Sequence, residues 1–288
     1  PPDTTTRARH HPSPRRHRSD HTESTSTSSA NWHAQPEGSL RVPRMAAMPA
    51  AAPIRRDVVS FVRRGDRMNP SQQRAWDTYG GWIVTVPRGE RSTSIAPGAE
   101  VDWDAVFGRS APLAVEIGSG TGDAVTAAGL AQPEVNHVAI EVFLPAIAST
   151  LGKAGRAGVH NVRVLLADGV QALETLFAPG SISELTTWFP DPWPKARHQK
   201  RRLVNAEFAA LVASRLTPDG RWRLATDWED YAEQMRDVLD AEPALANAYD
   251  GWAPRPGLRP VTRFEERAHA AGRTVRDLEY HRRPGPSA

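Results

Sequence analysis

Cysteine is absent from this 288-residue sequence, and lysine occurs only three times. Without cysteine the chain can form neither a disulfide nor a thiolate metal site, so nothing in its composition points to an oxidising compartment. No uninterrupted apolar run approaches the roughly 18 residues that a membrane-spanning helix needs. The apolar stretch 46–53 is too short and too isolated for a secretory signal. We therefore expect a cytoplasmic protein without a membrane partner, and no pair of histidines in the folded region has the spacing of a metal site.

The net charge of +3 is concentrated at one end of the chain. Residues 1–44 contain seven arginines and four acids, so the remainder is neutral overall. This segment is rich in Ser, Thr, Pro and His, and such a composition cannot offset the entropy of ordering, which predicts a disordered tail. Met45 and Met48 lie at the composition boundary, and we expect one of them to be the natural start. A basic arm that touches RNA is the alternative.

From about Pro112 the sequence alternates short β-branched or apolar runs with helix-like stretches. The predicted strands are 113–117, 135–142, 162–166, 182–189 and 222–225. Predicted helices that follow strands or turns include 145–157, 204–216 and 228–239. This alternation predicts an α/β fold with a doubly wound, mostly parallel sheet and helices on both faces. We divide the chain into the tail 1–44, a lead-in 45–111 that packs on the domain and contains a helix at 71–79, and a main domain 112–288.

An acidic residue stands at or near the end of each predicted strand. These acids are Glu116, Glu141, Asp168, Asp191 and Asp227. Ligands of a parallel sheet bind outside the carboxyl ends of its strands, so these side chains are expected to meet at one edge. Converging carboxylates repel one another, which suits a ligand that is cationic or rich in N–H and O–H donors.

A glycine-rich loop, VEIGSGTGD at residues 115–123, closes the first predicted strand. Its glycines at 118, 120 and 122 permit a tight turn and close approach to a ligand. Glu141 follows the last glycine by 19 residues, the spacing at which a second-strand carboxylate reaches ribose hydroxyls. The dinucleotide fingerprint needs G-x-G-x-x-G, however, and Glu116 would repel a pyrophosphate but attract a sulfonium or ammonium group. The pattern favours S-adenosylmethionine over NAD, with a plain tight connection as the alternative.

The segment WFPDPWPKARHQKRR, residues 188–202, places a carboxylate between two prolines and then five cations without an acid. In a neutral domain this run predicts a phosphate-binding loop, with a merely solvated face as the alternative. The two prolines restrict the backbone on either side of Asp191. We expect Trp188 to be buried core, whereas Trp193 either stacks on a base or packs under the loop.

Five segments together resemble the tRNA (guanine-N7-)-methyltransferases of the bacterial TrmB type. They are VEIGSGTGD, IEV at 140–142, FPDPWPKARHQKRR at 189–202, ATDW at 225–228 and RPVTRFEERAHAAGRTVRDLEY at 259–280. The resemblance covers about residue 54 to the end, and Ala268 departs from it where a glycine is expected. It implies a Rossmann-like class I methyltransferase fold, S-adenosylmethionine as methyl donor, no metal, and tRNA as the partner that is methylated at a variable-loop guanine.

The resemblance also implies roles for individual residues. Asp191 is the catalytic residue. The residues expected around the methyl donor are Glu116, Gly118, Gly120, Gly122, Glu141, Asp168 and Asp191. Those expected to contact the substrate are Lys195, Asp227, Thr262, Arg263, Phe264 and Glu265. The loop expected to contact RNA comprises Arg197, His198, Gln199, Lys200, Arg201 and Arg202.

The chemistry of this reaction makes modest demands on the protein. Guanine N7 carries a free lone pair, so it attacks an electrophilic methyl group without losing a proton first. Asp191 is predicted to accept hydrogen bonds from the Watson–Crick edge and to offset the developing positive charge. Helix capping is the alternative role for Asp227, and Thr262 with Glu265 has capping-box spacing. A noncatalytic RNA-binding protein and a methyltransferase for another RNA or a small heterocycle are the competing functions; the sequence predicts no oligomeric state.

Overall fold

The computed structural model describes residues 65–284. Within this range the strands are β1 Leu113–Ile117, β2 Asn136–Glu141, β3 Val162–Leu166, β4 Ile182–Trp188, β5 Leu216–Thr226, β6 Leu245–Asn247 and β7 Arg276–Arg282. The α-helices there are α1 Pro70–Tyr79, α2 Trp103–Phe107, α3 Asp123–Ala131, α4 Leu144–Arg156, α5 Gly169–Leu176, α6 Ala206–Arg215, α7 Glu229–Asp240 and α8 Arg263–Ala270. The expectations for the tail, for a start at Met45 or Met48 and for residues 45–64 lie outside the described residues.

The strands form one sheet in the order β3-β2-β1-β4-β5-β7-β6. Strands β1 to β5 pair in parallel, and β7 pairs antiparallel with both β5 and β6. The predicted mostly parallel, doubly wound sheet is therefore confirmed. The chain winds outward from β1 in one direction and from β4 in the other, which opens a crevice at the carboxyl ends of these two neighbours.

Helices cover both faces of the sheet. Side chains of a strand alternate between its faces, and in β2 Val138 and Ile140 belong to one buried cluster while Ala139 belongs to another. The first cluster includes residues of α5, α6 and α7, and the second includes residues of α3 and α4 with α1 against it. The predicted helices on both faces are confirmed.

The described part of the lead-in packs on α4. The predicted helix at 71–79 is confirmed as α1, whose N-terminus is closed by a capping box between Asn69 and Gln72. The Gln72 amide also donates to the carbonyl of Pro145 and the hydroxyl of Ser149, at 2.9 and 3.0 Å. These contacts bring α1 to the same end of α4 as the glycine-rich loop.

Two strands, β6 and β7, were not predicted. β7 reads RDLEYHR, and its charged residues obscure the apolar alternation of Leu278 and Tyr280, which are buried. The charges are paired across strands, since Glu279 accepts from Arg223 of β5 at 2.8 Å. Such cross-strand pairs stabilise a sheet without an apolar pattern. No helix in the described part of the chain is long and apolar enough to cross a membrane.

Candidate active site

The glycine-rich loop turns sharply between β1 and α3. Gly118, Gly120 and Gly122 have φ angles of 73°, 54° and 79°, a region that side chains rarely adopt. A Cβ on Gly122 would also lie 2.5 Å from the side chain of Thr150. Glycine is therefore required by backbone conformation at each position, and the loop exposes its backbone to the crevice.

The Glu141 carboxylate ties this loop to the turn after β2. One oxygen accepts from the Gly120 N–H at 2.8 Å, and the other accepts from the N–H groups of Val142 and Phe143 at 2.7 and 3.0 Å. Burial raises the pKa of Glu141, these hydrogen bonds oppose the shift, and the charge of Asp191 adds to it. Glu141 is thus held in a fixed orientation at the crevice, within electrostatic reach of Asp191.

Glu116 is a buried carboxyl inside β1, only 7% exposed. Burial, with smaller contributions from the charges of Asp123 and Glu141, raises the pKa of Glu116 to about 8. Among residues 65–284, no hydrogen-bond donor reaches this carboxyl group. Glu116 is therefore neutral near pH 7 unless a cation lies beside it, and a cationic ligand would favour its ionised form.

Two adjoining cavities of about 280 and 450 Å³ occupy the crevice. Both are lined by Gly118, Gly120, Glu141, Trp188, Phe189 and Phe264. The first is also lined by Asp168, Asp191 and Trp193, and the second by Glu116, Thr262 and Arg263. The crevice thus brings together most of the residues predicted around the donor and substrate, from segments far apart in the chain.

Asp168 lines the first cavity and also stabilises the start of α5. Its side chain accepts from the N–H groups of Val170 and Gln171 at 3.0 and 3.2 Å and so caps α5. This cap fixes the carboxylate at the carboxyl end of β3.

Asp191 lies exposed at the mouth of the first cavity, in a strained segment. Phe189 and Trp193 on either side have φ angles of 51° and 44°, a left-handed conformation that costs a non-glycine residue roughly 1–2 kcal/mol. The two prolines expected to restrict this segment are thus accompanied by strained neighbours. Partial burial raises the pKa of Asp191. Such strain persists only where the surroundings hold the backbone in place.

Arg202 helps to keep the strained backbone around Asp191 in place. Its guanidinium donates to the Pro192 carbonyl at 2.8 Å, to the Gln234 side chain at 2.6 Å and to Asp230 at 2.7 Å. It also lies 4.7 Å from the centre of the Tyr231 ring and is only 3% exposed. This guanidinium is buried and three of its N–H groups are engaged within the protein, which sets Arg202 apart from the other cations of the loop, and its contact with RNA stays a prediction.

Three other cations of the loop lie at the surface, and Arg201 is half-buried. Residues Ala196–Arg201 form a 3-10 helix, and Lys195, Arg197 and Lys200 are exposed. Trp193 is half-buried beneath this turn, with the Arg201 guanidinium 4.9 Å from its ring and His198 against its edge. Because Trp193 also lines the first cavity, it both packs under the loop and borders the crevice.

Asp227 does not cap the following helix. Trp228 is the N-cap of α7, and the Thr226 hydroxyl accepts from the Trp228 N–H at 3.2 Å. The Asp227 carboxylate instead accepts from Arg273 at 2.7 Å. The capping interpretation is therefore wrong, and an ion pair holds this side chain beside the carboxyl end of β5.

The capping box predicted at the start of α8 is only half formed. The Thr262 hydroxyl accepts from the Glu265 N–H at 3.3 Å, as expected of an N-cap. The Glu265 carboxylate is 1% exposed and accepts from Arg255 at 2.6 Å and from Arg259 at 3.4 Å. Glu265 therefore anchors α8 from inside the protein rather than lining either cavity.

Arg259 is a structural residue of the site that sequence reasoning missed. Its buried guanidinium donates to both oxygens of Asp277 in β7, at 2.5 and 3.2 Å. The same group lies 4.9 Å from the Trp188 ring and 5.5 Å from the Phe189 ring. Trp188 was expected in the core, but it is half-buried and lines both cavities, with Arg259 packed against it.

Ala268 stands where the family resemblance led us to expect a glycine. It is fully buried within α8. Because position 268 lies inside a regular helix, alanine stabilises the helix more than the expected glycine would.

Known proteins of similar sequence match most of the chain, including the residues that line the crevice. The family model described as "Putative methyltransferase" matches residues 110–278. The tRNA (guanine-N(7)-)-methyltransferase of Cutibacterium acnes is 53% identical over 233 residues, which cover 80% of this chain and 84% of that protein. The enzyme of the same name from Nocardioides sp. is 48% identical over 231 residues, covering 79% and 88%. Among solved structures, the 16S rRNA methyltransferase KamB is 17% identical with a TM-score of 0.49, covering 68% of this chain and 98% of that one, too distant for any inference about this site.

Proposed function

The chain belongs to the tRNA (guanine-N(7)-)-methyltransferase family, and we propose that it transfers a methyl group from S-adenosylmethionine to N7 of a guanine in the tRNA variable loop. The observation that carries the proposal is the crevice at the carboxyl ends of β1 and β4, where Glu116, Glu141 and Asp168 border a cavity that has Asp191 at its mouth. The close relatives, by name, act on guanine N7 of tRNA.

The chemistry of the crevice fits S-adenosylmethionine. When bound, this donor supplies a methyl group activated by a positively charged sulfonium. Glu116, whose buried carboxyl has no donor partner among the described residues, suits a cationic group. Glu141 and Asp168 supply oriented carboxylates for hydroxyl and N–H groups, and the backbone of the glycine-rich loop allows close approach. The residues at 116, 118, 120, 122, 141, 168 and 191 are therefore proposed to hold the donor.

The substrate side requires orientation rather than proton abstraction. N7 has a free lone pair, so the protein needs only to hold the guanine in line with the methyl group. Asp191, at the mouth of the first cavity, accepts hydrogen bonds from the N–H donors of the guanine Watson–Crick edge. Its negative charge offsets the positive charge that develops on the ring as the N–C bond forms. Phe264 and Trp193 border the same cavity and provide aromatic surface for the base.

The exposed cations of the 195–201 loop are proposed to hold the polyanion that carries the guanine. Lys195, Arg197 and Lys200 follow Asp191 directly in the chain and stand at the surface. Phosphate contacts of this kind position the RNA without reading its sequence. In this segment, therefore, Asp191 contacts the guanine base, whereas the exposed cations contact the phosphate backbone of the RNA.

One assay tests the proposal against its alternatives. The protein is incubated with methyl-labelled S-adenosylmethionine and unmodified bulk tRNA, with and without a chelator, and the modified base is mapped. N7-methylguanosine in the variable loop, unaffected by the chelator, is expected. Donor binding without transfer would favour a noncatalytic RNA-binding protein, and label on ribosomal RNA alone would favour another RNA substrate.

A further inference from the structure

We propose that α8 forms a second phosphate-binding surface for the RNA, built from Arg263 and Arg267 with Phe264 beside them. The inference rests on the proposed function, since it takes tRNA as the polyanion. It adds Arg267, to which the family resemblance assigned no role, and it assigns to Arg263 a contact with the RNA backbone rather than with the guanine.

Arg263 and Arg267 are exposed cations that line the second cavity. Within residues 65–284, no carboxylate lies within 4 Å of either guanidinium. Neighbouring arginines differ in this respect, since Arg273 is paired with Asp227 and Arg259 with Asp277. The charge of Arg263 does help to lower the pKa of Asp123, although the Lys153 hydrogen bond contributes more and burial opposes the shift. The two arginines therefore have donors available for a ligand.

Helix stability does not explain the charge of Arg263, although Arg267 lies in the last turn of α8, where the helix dipole favours a cation. Arg263 is the first residue of α8, where the positive end of the helix dipole disfavours a cation. Arg267 follows four residues later on the same face, where like charges repel each other. An anionic ligand at this face would offset both effects.

Phe264 adds an aromatic surface beside the two cations. Its side chain is 58% exposed, the largest exposed fraction among the large apolar side chains of residues 65–284. The ring lies parallel to that of Phe189, 6.3 Å away, and borders both cavities. An exposed aromatic ring flanked by arginines is the arrangement that binds single-stranded nucleic acid through stacking and phosphate contacts.

The helix that carries these groups is anchored from below. Glu265 points inward and is paired with Arg255 and Arg259, and Arg259 is paired in turn with Asp277 of β7. The outward-facing residues of α8 are thus presented by a fixed element, which reduces the entropy lost when a ligand binds.

Salt-dependent binding of tRNA tests the inference. Arg263→Gln and Arg267→Gln are each expected to weaken tRNA binding several-fold at low salt and to reduce the slope of log K against log salt by about 0.9. Arg263→Lys and Arg267→Lys should largely restore the slope. The melting temperature of every variant should match that of the parent protein.

Arg156→Gln is the matched control. Arg156 is an exposed arginine in the last turn of α4, roughly 10 Å along the helix from Ser149, which lines the second cavity. Its replacement should leave the slope unchanged. A parental slope in both glutamine variants, alongside a reduced slope in Lys200→Gln, would overturn the inference and leave the proposed function intact. Absence of tRNA binding and methylation by the unaltered protein would instead overturn the proposed function, and the inference with it.

Discussion

The two segments that border the crevice, residues 189–202 and 259–267, share one design. Each contains one buried arginine, Arg202 or Arg259, that packs against aromatic rings and is paired with a carboxylate. Each also places unburied cations at the surface beside a cavity. In both segments, therefore, one arginine stabilises the structure and its exposed neighbours are available to a ligand.

The segments differ in their backbones. The first contains two non-glycine residues in left-handed conformation on either side of Asp191, whereas the second continues into a regular capped helix. Backbone strain of this kind is found where a side chain must be held in one orientation for function. We therefore propose that the first segment serves both the reaction and the RNA, while the second offers Phe264 to the base and its exposed arginines to the RNA backbone.

The largest effect is expected at the first segment. Asp191→Ala should lower kcat by about 10²–10³-fold, the usual result of removing one electrostatic stabiliser of a transition state. Affinity for S-adenosylmethionine should change by no more than about twofold, because the main role of Asp191 is toward the guanine and the other carboxylates of the crevice still hold the donor. Single-turnover methylation and calorimetric titration of the donor measure the two quantities. Parental turnover in this variant would show that the strained segment does not hold a catalytic group.

Glu116 belongs to neither segment, and its substitution tests whether the pocket between them binds the donor. Glu116→Gln should weaken donor binding by about 10–100-fold, as expected for loss of one charge-assisted hydrogen bond. The same change should stabilise the ligand-free protein at pH 8. The carboxyl group has a pKa of about 8 when folded, against an ordinary value of 4.5, so the wild type loses stability as pH rises between these values.

Thermal unfolding from pH 4 to pH 9 measures the second effect. The variant should melt at least about 3 °C higher than the parent at pH 8, and the difference should vanish near pH 4, where the carboxyl is protonated in both states. Equal melting temperatures at all pH values would contradict the burial of an unpaired carboxyl at position 116.

Arg202→Lys separates the structural arginine of the first segment from its exposed neighbours. Lysine keeps the charge but not the planar fork that reaches Pro192, Gln234 and Asp230 together, so the Asp191 segment should loosen. We expect kcat to fall about 10-fold, in line with a misplacement of catalytic groups, while the salt slope of tRNA binding stays at its parental value. A reduced slope with unchanged kcat would mean that Arg202 contacts RNA after all.

The smallest effect is expected from an exposed cation of the same loop. Lys200→Gln should reduce the salt slope of tRNA binding by about 0.9 and leave kcat at saturating tRNA unchanged. Together with Arg202→Lys it forms a reciprocal pair, each variant changing the quantity that the other preserves. Filter binding at four or more salt concentrations gives the slope.

Local patterns were sufficient to predict the parallel half of the sheet. The runs at 113–117 and 162–166 were predicted with the bounds that the structure has, because each is apolar and partly β-branched apart from one charged residue, Glu116 or Arg163. The carboxylates at 116, 141, 168 and 191 could be placed at one edge, since the topology of such a sheet fixes where its strands end.

The residues that could not be predicted depend on partners distant in the sequence. In the sequence Arg202 is indistinguishable from the other cations of a basic run. Its burial depends on its contact with Asp230 of α7, which the sequence does not show. Arg259 likewise depends on Asp277, which lies in a strand whose charged residues concealed its alternation. The sequence shows which charged residues a segment contains. Which of them are buried depends on ion pairs with residues 18 or 28 positions away in the chain, as for Arg259 with Asp277 and Arg202 with Asp230.

The most direct test of the account is nucleoside mapping of one tRNA after reaction with S-adenosylmethionine. Unmodified tRNA is incubated with the parent protein or with Asp191→Ala, digested, and analysed by mass spectrometry. The account predicts one N7-methylguanosine, in the variable loop, with the parent protein and about 10²–10³-fold less of it with the variant at equal reaction times. Methylation of another base or another atom of guanine, or equal methylation by the two proteins, would contradict it.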